Sequence, residues 1–438
     1  MSEISNLPFL PVTLEEALSV ARDPYCGHGK IEILPKVVVN GLRDMAVSHT
    51  PGVGKVVQHI LAHPDMLHEQ TAKDNMIALV TDGTAVLGFG NAGPHAGMPV
   101  MEGKAVMFKL LAGIDCMPLC VSSRGPSHLV DIITALEPSF GGFNLEDVAA
   151  PGCFEVMREL DGGLEVPALH DDQYGTATVV TAGVLNSMKL LGRRPQDIRA
   201  VVNGVGAAGT ATIQLLQEIG IGDIIALDRQ GILRSGDDHA FDHLRDVAAK
   251  TNAGRISGGL ADAMKGADLF VGLSGPRLVT AAMVRSMNKD PIVFGLANPD
   301  PEIMPHEATA AGAAITASGR FDFPNQCNNV LAFPGLMRGA LDTRARRISV
   351  GMCLAAAKAI ADCIEADTLG TKNILPSPLD PDVHPMVAEA VARASMAEGL
   401  ARRFAAPGAV ERRCRDLRTT VQARQRELIK FEKPVITQ

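Results

Sequence analysis

The stretch IRAVVNGVGAAG, from Ile198 to Gly209, constrains this chain more than any other. A short β-branched run enters a Gly-x-Gly-x-x-Gly turn and leaves it on a helical pattern, a succession met by a strand, a tight turn and a helix. Gly204 permits the turn, Gly206 lets a pyrophosphate approach the backbone, and Gly209 allows close packing of helix on strand, with Val205, Ala207 and Ala208 between them. The start of that helix offers free N–H groups to an anion. Further strands are predicted at Ile224 to Asp228, Leu269 to Leu273 and Ile292 to Leu296, separated by helical patterns, which is the alternation of a doubly wound parallel sheet. Asp228 stands 24 residues after Gly204, where a carboxylate accepts hydrogen bonds from an adenosine ribose. That favours NAD, because a carboxylate repels a 2′-phosphate, while Arg229 beside it leaves NADP open.

The first part of the chain also alternates strand and helix. Met76 to Gly90 reads as two short strands around an Asp-Gly turn, Gly103 to Leu111 as a helix, Asp115 to Ser122 as a strand and SHLVDIITAL as a helix. The fold class is therefore α/β throughout, with a helix over Thr176 to Leu191 and a charged helical tail from about Asp380. With 41 Lys and Arg against 49 Asp and Glu the formal charge is −8, which argues against a nucleic-acid or anionic-membrane partner and for a small-molecule substrate. The first residues lack a basic segment followed by an apolar one, and no long uncharged apolar run occurs, so a cytoplasmic protein is expected. Cys116 and Cys120 form the one close cysteine pair and lack a second pair to complete a zinc site, so reduced thiols are expected. Trp is absent and Tyr25 and Tyr174 are the two tyrosines, which limits phenol chemistry to two positions.

Two acidic pairs stand out, Glu146-Asp147 and Asp171-Asp172. Adjacent carboxylates repel unless a proton or a cation resolves them, and hard divalent ions such as Mg²⁺ or Mn²⁺ take oxygen ligands; a solvated loop or helix cap is the competing reading. Lys104 follows the glycine-rich GFGNAGPHAG near the start of a predicted helix, where the dipole would help lower its pKa toward general-base work. An exposed helix lysine is the alternative there.

Together these pieces resemble the short bacterial malic enzymes. The resemblance runs through LGFGNAGPHAGMPVMEGKAVMFKLLAGID (87 to 115), NLEDVAAP (144 to 151), HDDQYGTA (170 to 177), VNGVGAAG (202 to 209), FGLANPDPEI (294 to 303) and PNQCNNVLAFPGLMRGALD (324 to 342). It implies NAD(P)-dependent oxidative decarboxylation of malate to pyruvate and CO₂ with Mg²⁺ or Mn²⁺. By the same resemblance Lys104 is the base, Asp171 its partner, and Glu146, Asp147 and Asp172 the metal ligands. Asn298, and Asn328 or Asn329, would hold substrate or nicotinamide. Hydride would leave C2 as Lys104 takes the hydroxyl proton, the metal would polarise the keto oxygen during CO₂ loss, and an acid would protonate C3 of the enol. The expected organisation is an N-terminal catalytic domain over 1–165, a nucleotide-binding domain over 166–375, and a helical extension over 376–438 that returns to the first domain. A homodimer or larger assembly is implied as well.

The chain departs from the pattern at the acid. The family's Tyr-Ser/Thr-Pro-Gly-Val block reads Ser48-His49-Thr50-Pro51-Gly52-Val53 here, and Tyr174 stands where the short forms often carry histidine. Three readings of His49 stay open: an imidazole acid for C3, a pocket residue for a different 2-hydroxy acid, or a tolerated structural residue. Tyr174, two residues past an expected metal ligand, is the one phenol placed near the chemistry. A silent nucleotide-sensing protein is the rival from outside enzymology.

Overall fold

The computed structural model describes residues 12–20, 22–23 and 27–431; Tyr25 lies outside the described residues. Helices α1 (Leu14–Ser19), α2 (Leu42–Ser48) and α3 (Gly52–Ala62) precede the first sheet, and none of them buries a residue. Most of the exposed large aliphatic side chains of the molecule fall in this arm, between Val12 and Leu61.

The first sheet is formed by β1 (Met76–Thr81), β2 (Asp115–Cys120), β3 (Gly142–Leu145) and β4 (Ala168–His170), in the order β2-β1-β3-β4 and parallel throughout. Residues Ile77 to Val80 are fully buried, as expected for a parallel strand covered on both faces. Helices α4 (Pro94–Ala112), α5 (Pro126–Leu136) and α6 (Gly152–Gly163) connect the strands. The second strand expected before Gly90 does not form. After Thr81 the chain turns at Gly83, which lies so close to Gly93 that a Cβ there would overlap its carbonyl, and a short 3-10 turn follows at Leu87–Phe89. Because β4 pairs with β3, a division at residue 165 would sever the first sheet from its last strand.

Helix α7 (Asp171–Leu191) leads into the second sheet, built from β5 (Arg199–Asn203), β6 (Asp223–Asp228), β7 (Gly231–Ile232), β8 (Leu269–Gly272), β9 (Ile292–Gly295) and β10 (Ile315–Ser318). Its order is β10-β9-β8-β5-β6-β7, parallel except for the two-residue hairpin strand β7. Helices α8 (Ala207–Glu218) and α9 (Asp242–Lys250) pack on the face that α7 covers. Four longer helices follow the second sheet among the described residues: α10 (Phe333–Asp342), α11 (Val350–Asp362), α12 (Val383–Ala397) and α13 (Ala409–Phe431). Helix α13 lies back against α4, with Leu417 packed on Gly113 and Arg413 paired to Asp74 at 2.7 Å. One continuous core runs from Phe108 and Leu111 of α4 through Val180 and Val184 of α7 to Val202 and Phe294 of the second sheet. Among the described residues no helix is long and apolar enough to cross a membrane.

Candidate active site

Lys104 projects from the middle of α4 and is buried against carboxylates of two other elements. Its Nζ contacts Oδ2 of Asp171, the first residue of α7, and Oε2 of Glu146, just past β3. The ring of Phe333 lies 4.7 Å below the ammonium. Glu146, Asp147 and Asp172 bring one carboxylate oxygen each within 4.8 Å of one another. The backbone N–H of Asp147 donates to Asp172 Oδ2 at 2.8 Å, and His170 Nε2 lies 3.4 Å from the same oxygen. Gln173 Nε2 is 2.9 Å from His170 Nδ1, which fixes the ring behind Asp172. Asp147 has φ 55, a left-handed conformation uncommon for a non-glycine residue, so its side chain is aimed at some backbone cost.

The charges do not balance. One ammonium faces four carboxylates, three of them almost fully buried. Burial, reinforced by Asp172 and Asp171 and opposed by Lys104, holds Glu146 well above the usual carboxylate range. Burial raises Asp171 as well, against the pull of Lys104 and a hydrogen bond from Asn329. On Lys104 itself burial favours the neutral amine, but Asp171, Glu146 and Asp172 outweigh it and the ammonium is held above the ordinary lysine range. Excess buried negative charge on hard oxygen donors suits a divalent cation such as Mg²⁺ or Mn²⁺. The expectation that a helix N-terminus lowers the Lys104 pKa is corrected here: α4 begins at Pro94, so Lys104 lies well inside it, beyond the reach of the terminal dipole.

The glycine turn joins β5 to α8 as expected. Gly204 has φ +107 and packs on Leu273, a Cβ on Gly209 would overlap the Gly204 carbonyl, and a Cβ on Gly206 would meet nothing within 4 Å. Close packing at the outer glycines and open space at the middle one is the cradle a pyrophosphate requires, and no side chain caps α8. Val205, Ala207 and Ala208 lie along the turn and the first residues of the helix. Asp228 ends β6 as predicted, with Oδ1 accepting the Gln230 N–H at 2.7 Å. Asn298 is exposed beyond β9, and Gly88 of the first domain faces its carbonyl with space for a Cβ at 3.5 Å.

Not every expected residue joins the cluster. Asn329 reaches Asp171, whereas Asn328 accepts the Val330 N–H at 3.0 Å and caps the turn that follows. Tyr174 is a correction: α7 turns it away from Asp171, its hydroxyl donates to Gln214 of α8 at 3.1 Å, and burial pushes its pKa up to about 12. His49 is exposed at the end of α2, a helix that buries no residue, whereas Lys104 is buried. Two residues passed over in the sequence support the site. Thr84 Oγ1 accepts the Ala149 N–H at 2.9 Å and steadies the loop after Asp147, and Glu302 lies buried beneath the crevice. The available signals were a threonine after an Asp-Gly turn and an acid within an apolar block.

A nucleotide-type sheet with an open glycine turn, beside a lysine set among buried carboxylates, defines a nicotinamide-dinucleotide oxidoreductase with a divalent-cation centre. Residues 173–396 match the family model described as malic enzyme, NAD binding domain, and residues 28–131 match malic enzyme, N-terminal domain. The chain is 45% identical over 404 residues to the bifunctional malic/malolactic enzyme of Bacillus subtilis (strain 168), covering 92% of this chain and 98% of that one. It is 44% identical over 375 residues to the NAD-dependent malic enzyme of Geobacillus stearothermophilus, covering 86% and 78%. The crystal structure of malic enzyme from Pyrococcus horikoshii Ot3 superposes with a TM-score of 0.91 at 42% identity, over 95% of this chain and 98% of that one. The chain belongs to the malic enzyme family.

Proposed function

We propose that this chain oxidatively decarboxylates malate, or a close β-carboxy-2-hydroxy acid, with NAD(P) as acceptor and Mg²⁺ or Mn²⁺ held by Glu146, Asp147 and Asp172. The observation that carries this reading is Lys104 in contact with both Asp171 and a member of the three-carboxylate cluster. When bound, the cation supplies Lewis acidity at the 2-keto oxygen and the dinucleotide accepts the hydride. Glu146 and Asp172 would hold the cation, whose charge would offset the carboxylates that now keep Lys104 protonated; the neutral amine so favoured would take up the hydroxyl proton at Nζ, with Asp171 as its carboxylate partner. Asn329 orients Asp171, while Asn298 supplies an amide toward substrate or nicotinamide and Asn328 fixes the turn that carries Asn329. The test is purified protein with malate, Mn²⁺ and either NAD⁺ or NADP⁺, following reduced cofactor, CO₂ and the organic product together. Equal yields of reduced cofactor, CO₂ and pyruvate are expected; no reduced cofactor from malate with either dinucleotide would exclude malate, and none from a panel of β-carboxy-2-hydroxy acids would overturn the reading.

The arm belongs to the same proposal. Contiguous exposed apolar surface on a soluble protein marks an interaction face, and burying a Val, Leu or Ile side chain stabilises by about 1.5 to 3 kcal/mol. The arm carries Ile33, Val38, Leu42, Val53 and Leu61 exposed, together with His49. A second copy of the chain is the occupant that serves both needs: it covers the aliphatic side chains and receives His49 as the acid for C3 of the enol. We also place the protein in the cytoplasm, a reading supported by seven described cysteines that are all unpaired thiols.

A further inference from the structure

Glu302 is fully buried, and no basic side chain lies within ion-pairing distance of it among the described residues. Its carboxylate is met instead by N–H groups of two loops. Ser274, beyond β8, donates its backbone N–H to Oε1 at 2.9 Å, and Ala297, beyond β9, donates to Oε2 at 3.1 Å. The Ser274 hydroxyl, 3.5 Å from the same Oε1, also accepts from Asn203 Nδ2 at 2.8 Å, and Asn203 is the last residue of β5 before the glycine turn. A Cβ at Gly272 would overlap the carboxyl, so β8 leaves room for it. One acid therefore ties together the ends of β5, β8 and β9.

These three strands flank the point where the sheet order reverses, between β5 and β8. Dinucleotides lie across such a switch point, with the adenosine half toward β6 and Asp228 and the nicotinamide half toward β8 and β9. A fully buried acid with a backbone N–H bonded to each of its two oxygens is placed to hold loops, not to move protons at the surface of the crevice. It sets loop spacing, and Asn298 directly follows one of the N–H groups it holds.

We propose that Glu302 is a positioning residue for the nicotinamide half of the dinucleotide, holding the loops after β8 and β9 at the separation that half requires. The proposal rests on the dinucleotide-enzyme reading above, and its test uses binding, so it stands or falls separately from turnover. Glu302→Gln keeps the volume but replaces one accepting oxygen with an amide donor, leaving either Ser274 N–H or Ala297 N–H without its acceptor. NADH is expected to bind about tenfold more weakly to this variant by calorimetry, the loss typical of one hydrogen bond to a charged group. ADP-ribose, which lacks the nicotinamide, should bind as it does to the unaltered protein, and KM for dinucleotide should rise while KM for malate stays. Should Glu302→Gln fail to fold, Ser274→Ala cuts the tie to β5 alone and is expected to weaken NADH by about two- to threefold with ADP-ribose unaffected. Unchanged NADH affinity, or equal losses for NADH and ADP-ribose, would overturn the assignment.

Discussion

Asp171 holds Lys104, and Asp171 in turn depends on a missing side chain. Gly175 lies one turn along α7, and a Cβ there would overlap Asp171 Oδ1. Gly175→Ala should therefore displace the carboxylate from the lysine and lower kcat by on the order of a hundredfold, as misplacing a reacting group does. Steady-state rates with malate check this, and an unchanged kcat would mean that the position of Asp171 does not matter. Lys104, Glu146, Asp147, Asp171 and Asp172 were singled out in the sequence through the resemblance to malic enzymes, because spacing alone left an exposed helix lysine and solvated acidic pairs open, and the structure brings the five side chains together. The physical reason first given for Lys104 was not legible: its pKa is governed by carboxylates 42 and 67 residues away in sequence, which only tertiary packing reveals. Tyr174 failed for the same reason. Two residues of separation say little about distance on a helix, where successive side chains point about 100° apart.

At the level of elements, β3, β4 and β10, only three or four residues long, went unread, while β1 and β2 of the first sheet and β5, β6, β8 and β9 of the second were legible because buried parallel strands are short apolar runs. The hairpin strand β7 was not, since two residues carry no period. Helix α7 starts five residues before the apolar pattern did, because its first turn is Asp171 and Asp172, acids that favour a helix N-terminus but break the hydrophobic stripe. The packing of α12 against α13 carries a pH dependence. His384 of α12 is fully buried, with Nε2 toward the Pro378 carbonyl at 3.2 Å, and burial, aided by Arg418 of α13, lowers its pKa to about 3. Unfolding returns it to its ordinary value of 6.5, so between pH 6.5 and 3 the unfolded chain binds the extra proton. Stability should then fall as pH drops below 6.5, by up to about 1.4 kcal/mol per pH unit from this group. Denaturant unfolding at pH 7, 6 and 5 should show a shallower decline for His384→Gln; equal slopes for both proteins would exclude His384 as a source.

For the whole molecule, the proposal turns on whether a second copy receives His49 at its site. If the arm crosses to a second copy, a chain carrying Lys104→Ala and a chain carrying His49→Ala are each inactive alone, yet a mixed dimer regains one intact site. Co-refolded or exchanged mixtures should recover about a quarter of the unaltered activity at equal amounts, by random pairing of one good site in half the dimers. No recovery in a mixture shown by mass to contain mixed dimers would place His49 in its own chain's site or outside catalysis. The sequence located the histidine but not its destination, because exposure of an aliphatic arm is a property of the folded surface. The shared core has a different consequence, for recombination between relatives. Asp171 and Asp172 open the helix whose body lies between the two sheets, so these two acids and the nucleotide half are inherited on one rigid rod. A chimera joined at residue 165 would graft a foreign edge strand onto the first sheet, and one joined within α7 would set one parent's acids on the other parent's packing. Cofactor preference is therefore better exchanged by grafting the loop after β6 than by swapping halves.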